Sequence, residues 1–134
     1  MSLPTVEIVA DDALLRRVVP GLVTRQGTVR PTSVVFKPHP DDGAVSVDVR
    51  RLLPVPGDPL SVLAGFPEYG LVELLASTVR GAGLQVFHAP LADNPAHANI
   101  VGLADMSRAE SKRLQRELAK KAAWVREPGA GTVG

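Results

Sequence analysis

The chain contains no cysteine, which removes disulfides, thiolate metal ligands and a cysteine nucleophile together and fits a reducing compartment. Aromatic residues are nearly as scarce. Phe36, Phe66, Phe87, Tyr69 and Trp124 are all there are in 134 residues, so the core must be aliphatic and a platform for stacked bases is lacking. No apolar run approaches the ~18 residues of a membrane span, and the opening MSLPTVEIVADD has no basic stretch leading into an apolar one. Cytoplasmic localisation with no membrane partner is the expectation. There is also no internal repeat, no Walker loop, no GxGxxG, no GxSxG and no HExxH, which disfavours ATPase, dinucleotide-dependent dehydrogenase, serine hydrolase of the elbow type and gluzincin.

What is present is 45% hydrophobic residues, enough for one ordinary core, and twelve Gly with twelve Pro falling mostly singly between apolar runs. This pattern predicts short strands joined by tight turns. The net charge of +1 conceals a division: residues 1–107 hold eight Lys and Arg against eleven Asp and Glu, whereas 108–127 hold seven against three. A mildly acidic body therefore ends in a basic segment.

Taken in order, alternating TVEIV predicts a strand over 5–9. Asp11 or Asp12 then offers an N-cap for a helix through Val19, with Leu14, Leu15, Val18 and Val19 as its apolar face. Residues 21–30 read either as two very short strands around Gly27 or as irregular loop, and Arg25 and Arg30 flank that glycine as a candidate anion-binding pair. Residues 33–37 and 44–49 predict a hairpin closed by PHPDDG. A single helical turn follows at 50–53, and a short helix over 59–64 with Asp58 at its N-cap and Pro59 at N1. Residues 70–83 read either as a helix with Leu71, Leu74, Leu75 and Val79 on one face or, the preferred reading, as a strand over 71–75 followed by helical residues at 78–82. Further strands are expected over 84–87 and 98–103. Ser107 and Glu110 form an S-x-x-E capping box that opens a helix over 108–126, with Leu114, Leu118, Ala122 and Val125 as its buried stripe.

The sum is a single α+β domain over 1–127, with a flexible tail at 128–134. It is built on a mixed or mostly antiparallel sheet of about five to six short strands with the C-terminal helix packed on one face.

Three places attract a chemical reading. The stretch 85–102, QVFHAPLADNPAHANIVG, puts His88, Asp93 and His97 around one turn, candidates for a two-His, one-carboxylate metal site or for general acid–base work. His39, Pro40, Asp41 and Asp42 follow an apolar run and resemble the HPDD motif of the zinc-dependent N-deacetylases of the PIG-L/LmbE family. The resemblance implies His39 and Asp42 as zinc ligands and Asp41 as general base, with Gly43 standing where that family has a glutamate. One variant of the metal reading brings all three histidines together across the sheet. Third, Lys112, Arg113, Arg116, Lys120 and Lys121 offer a basic surface to a partner. The leading functional expectation is a non-catalytic protein-binding or accessory module, with no cofactor. A small metal-assisted hydrolase using zinc and a nucleic-acid accessory protein are the alternatives.

Overall fold

A computed structural model describes residues 3–24 and 29–129. Its centre is β1 (Ala13–Val18), where the sequence pattern predicts a helix. Leu14 and Leu15 are 0% and 1% exposed although they are neighbours. A strand covered on both faces buries adjacent side chains on opposite sides, and such a doublet mimics a helical i, i+3, i+4 stripe. Leu14 and Val18 enter the main core on one face, and Leu15 enters a smaller core with Leu53, Leu63, Leu71 and Ala96 on the other.

β1 lies inside a six-stranded antiparallel sheet with β4 (Val45–Val49), β5 (Gly70–Leu75), β6 (Gln85–His88), β7 (His97–Val101) and β8 (Ala123–Arg126), in the order β6-β7-β4-β1-β5-β8. β2 (Val23–Thr24) and β3 (Arg30–Pro31) form a separate two-residue ladder. Helix α1 (Ala76–Gly81) and the longer α2 (Arg108–Lys121) complete the single α+β unit. In β4, Val45, Val47 and Val49 point into the main core with Ala98 and Ile100 of β7, leaving Ser46, Asp48, His97 and Asn99 on the opposite face.

The expected hairpin at 33–37 is a 3-10 turn, Ser33–Phe36, that buries both Val35 and Phe36. A strand would send these neighbours to opposite faces; the turn sets both against the main core. β4 pairs instead with β1 and β7. The segment at 5–9 is not a strand either. Its backbone is held by side chains: Val6 N–H donates to His88 Nδ1, and the carbonyls of Glu7 and Ile8 accept from Arg51 and Arg80. The 3-10 turns Arg50–Leu52 and Pro59–Leu63 agree with expectation.

α2 starts where the capping signal places it, with Ser107 Oγ accepting from Glu110 N–H. It ends at Lys121, five residues before the expected boundary at 126, because Ala123–Arg126 pairs with the edge of β5. Trp124 then packs beside the main core and Val125 beside the smaller one, the alternation of a strand. The expected tail is also anchored at its start. Pro128 is buried and Gly129 N–H donates to the Glu68 carbonyl at 2.9 Å.

Asp12, expected as a helix cap, is a buried tether. Its carboxylate accepts from Arg51 Nε at 2.8 Å and Nη2 at 3.0 Å, and from Val9 N–H at 2.8 Å. The Arg51 hydrogen bond holds its pKa below the usual carboxylate value against the opposing effect of burial, with Val9 N–H and the charges of Arg51 and Arg80 adding to the lowering. A depressed folded-state pKa stabilises the fold above the unfolded value near ~3.9, and this contribution disappears as pH falls through the folded value. Acid unfolding followed by circular dichroism should therefore show a loss of stability setting in below about pH 4 that is shallower in Asp12→Asn. At neutral pH the same substitution should cost about 1–3 kcal/mol, since it weakens a buried pair whose arginine is itself half in water.

Candidate functional site

The loop between β6 and β7 has the geometry its sequence suggested only in part. β6 and β7 pair directly, with His88 opposite Ala98, and a Leu91–Asn94 bridge tightens the turn. The His88 ring accepts from Val6 N–H at Nδ1, 2.9 Å away, which leaves Nε2 to donate to the Pro95 carbonyl at 2.8 Å. His97 has the reverse tautomer. Nδ1 lies 2.8 Å from the Ala89 carbonyl, which can only accept, so the neutral ring carries its proton there and turns a lone pair at Nε2 toward Ser46 Oγ at 3.2 Å. Each imidazole is thus pinned to its own loop backbone. Asp93 sits exposed on the turn and makes neither histidine a partner. Asn94 is fixed by Asp48, its Nδ2 donating to Oδ1 at 2.7 Å.

In front of His97 lies a hollow of about 620 Å3 whose walls include Arg17, Ser46, Asp48, Leu91 and Asn94. Ser46 and Asp48 were invisible as site residues in the sequence, because their meeting with His97 depends on the β4–β7 register.

The HPDD segment is a turn. His39 N–H donates to the Ala44 carbonyl and Gly43 N–H to the His39 carbonyl, both at 2.8 Å. Asp42 Oδ1 accepts from Ala44 N–H at 3.0 Å, and His39 Nδ1 accepts from Asp41 N–H at 3.1 Å. Gly43 has φ +70°, and a Cβ there would come within 2.8 Å of Ala104 Cβ. Glycine is therefore required by the turn, which accounts for the departure from the motif's glutamate. Among the described residues no three His, Asp or Glu side chains come together as a metal-ligand set, so the three histidines do not converge.

On the other face of the sheet, α2 sorts its cations into two rows. Glu110 pairs with Arg113, and Lys121 lies 3.5 Å from Glu117. The Arg113 hydrogen bond lowers the Glu110 pKa, and the reverse interaction raises that of Arg113. These four residues form a neutralised row. Arg108, Lys112, Arg116 and Lys120 recur every four residues along the adjoining flank, all exposed and none in an ion pair among the described residues. At 1.5 Å per residue the row runs about 18 Å, with successive cations about 6 Å apart along the axis.

This flank borders two hollows. One of about 590 Å3 lies between α2 and the 34–38 and 103–106 segments, with Lys37, Arg108 and Lys112 at its rim and Val34, Leu103 and Met106 in its wall. Buried Ser111 and Gln115 join the lining, Gln115 Nε2 donating to Ser111 Oγ at 3.1 Å. The second, of about 260 Å3, is bordered by Arg30, Thr32, Arg116 and Lys120, and Thr32 Oγ1 is buried there without a hydrogen-bond partner among the described residues. Arg30 thus joins the α2 cations. Arg25, its expected companion, lies outside the described residues. Of the expected partner surface, Lys112, Arg116 and Lys120 belong to the open row, whereas Arg113 and Lys121 are committed to glutamates. Arg108 and Lys37 were missed, although the four-residue spacing from Arg108 to Lys112 was available as a signal.

No helix among the described residues is long and apolar enough to cross a membrane. No family model matches the chain, and no curated protein and no solved structure matches it either.

Proposed function

We propose that the protein is a binding module that docks an acidic, aliphatic segment of a partner protein along α2. The observation that supports this most is the row Arg108, Lys112, Arg116 and Lys120, in no ion pair among the described residues and continued by Lys37 and Arg30 from neighbouring segments. Cations that follow one another about 6 Å along the helix axis fall on the scale of the ~8 Å Debye length of physiological salt, so an anionic partner laid along the row relieves their mutual repulsion.

The lining of the hollows supports a peptide over a nucleic acid. Val34, Leu103 and Met106 give the larger one an aliphatic wall, and neither hollow has an aromatic residue in its lining. A peptide with leucine-like anchors between carboxylates finds both charge and apolar contact there, whereas single-stranded nucleic acid lacks the stacking surface it uses elsewhere.

Fluorescence anisotropy with a short labelled peptide of glutamate and leucine tests this, with an oligothymidylate as the second probe. The peptide is expected to bind, to weaken as salt is raised, and to lose about tenfold or more in affinity in the Lys112→Glu/Arg116→Glu double variant. Both side chains are exposed, so the fold should be retained. Binding of the oligonucleotide with none of the peptide, or peptide affinity unchanged by the double reversal, would overturn the reading.

A further inference from the structure

We propose that Ser46 and His97, on the face of the sheet remote from the α2 main core, form a nucleophile and general base that accept the acyl group of a carboxylic ester.

The pairing follows from register. In the antiparallel β4–β7 ladder Asp48 lies opposite His97, and Ser46 lies opposite Asn99. These four side chains share the outer face because Val45, Val47, Ala98 and Ile100 fill the inner one. Ser46 is the diagonal neighbour of His97, within reach of a long side chain. The tautomer is set by the Ala89 carbonyl. Because that oxygen cannot donate, the neutral imidazole keeps its proton on Nδ1, and Nε2 faces Ser46 Oγ as a proton acceptor at 3.2 Å. A hydroxyl beside a basic nitrogen whose other nitrogen is held by a third group is the arrangement that activates a serine.

The surroundings suit the chemistry. Asp48 lies opposite His97 in the ladder, and its carboxylate accepts from Asn94 Nδ2 at 2.7 Å, so a fixed anion shares the face with the Ser46 and His97 pair. Arg16 Nη1 donates to the Ser46 carbonyl at 2.7 Å, fixing the strand that carries the nucleophile. Arg16 and Arg17 both line the smaller hollow beside Ser46, which places positive charge near an attacked carbonyl oxygen. Leu53, Val62 and Leu91 give the about 620 Å3 hollow an apolar side for an acyl chain.

In the first step the Ser46 hydroxyl proton passes to His97 Nε2 and Oγ bonds to the ester carbonyl carbon. The carbon–oxygen bond to the alcohol then breaks, and the departing oxygen takes the bonding pair and the proton from His97. Water, deprotonated by the same nitrogen, attacks the acyl-serine, releasing a carboxylic acid and restoring the Ser46 hydroxyl.

A fluorophosphonate probe reads the first step on the intact protein. Ser46 Oγ bonds to phosphorus, fluoride leaves, and mass spectrometry locates the adduct. A single adduct on Ser46 is expected, absent in Ser46→Ala and formed about tenfold or more slowly in His97→Gln. Ser46 is exposed, so its alanine variant should keep the parent's melting temperature. His97 also holds the Ala89 carbonyl, so a second measurement uses the parent protein alone: carbethoxylation mapped to His97 should block labelling of Ser46. An unlabelled Ser46, labelling equally fast in His97→Gln or after carbethoxylation, or adducts scattered over other serines would overturn the proposal.

Discussion

Replacing Phe36 by alanine is expected to lower the unfolding free energy by about 3–5 kcal/mol, the usual cost of emptying a fully buried aromatic site. Phe36 is 0% exposed and belongs to the main core together with Leu114 and Leu118 of α2. Its loss leaves a void beneath the segment that carries Val34 and, just beyond, Lys37 and Pro38, which form one wall of the larger hollow. Affinity for an acidic peptide should fall together with stability. Urea unfolding checks the first effect as a lower midpoint with an unchanged slope, and Phe36→Leu should recover most of the loss because most of the apolar volume returns.

Arg16→Ala should cost about 2–3 kcal/mol, a large effect for a charged residue of a sheet. The β1–β4 ladder registers only Leu14 with Val49 and Leu15 with Asp48 before the two strands part. The Arg16 guanidinium serves where they part, Nε donating to the Val35 carbonyl at 3.0 Å and Nη1 to the Ser46 carbonyl at 2.7 Å. Burial, then the charge of Arg17, pushes its pKa down, while Asp48 pushes it up. An arginine nevertheless stays protonated, so removal strips a charged donor from two carbonyls at once. Arg16→Lys should regain less than half, since an ammonium lacks the rigid fork that reaches both oxygens. Thermal unfolding of the two variants measures this, and fluorophosphonate labelling of Ser46 should slow in Arg16→Ala because the strand bearing the serine is released.

How much of this was legible in the sequence depended on the range of the interaction that decides each element. The start of α2 is local, a serine whose hydroxyl meets an amide three residues on, and it was read correctly. Its end is not local. Nothing between Lys121 and Arg126 breaks a helix, and only the free edge of β5 draws those residues into a strand. β1 failed for a related reason: Leu14 and Leu15 resemble a helical face unless it is known that both sides of the strand are covered. Residues 33–36 carry β-rich composition, but Val35 and Phe36 both need the same core, and a 3-10 turn meets that need.

The sites divide in the same way. His97 stood out as a residue near a turn, but its partner Ser46 is 51 residues away and appears only once the register of β4 against β7 is fixed. The α2 cations were all in view as a composition. Separating the neutralised Arg113 and Lys121 from the open Lys112, Arg116 and Lys120 needed the helix to be wound and the glutamates placed.

The most direct test of docking along α2 is an amide chemical-shift map of the isotopically labelled protein titrated with the glutamate and leucine peptide. Docking along α2 requires the perturbed amides to cluster at residues 108–120, 30–38 and 103–106. Perturbations confined to the Ser46 and His97 hollow, or spread evenly over the surface, would contradict it.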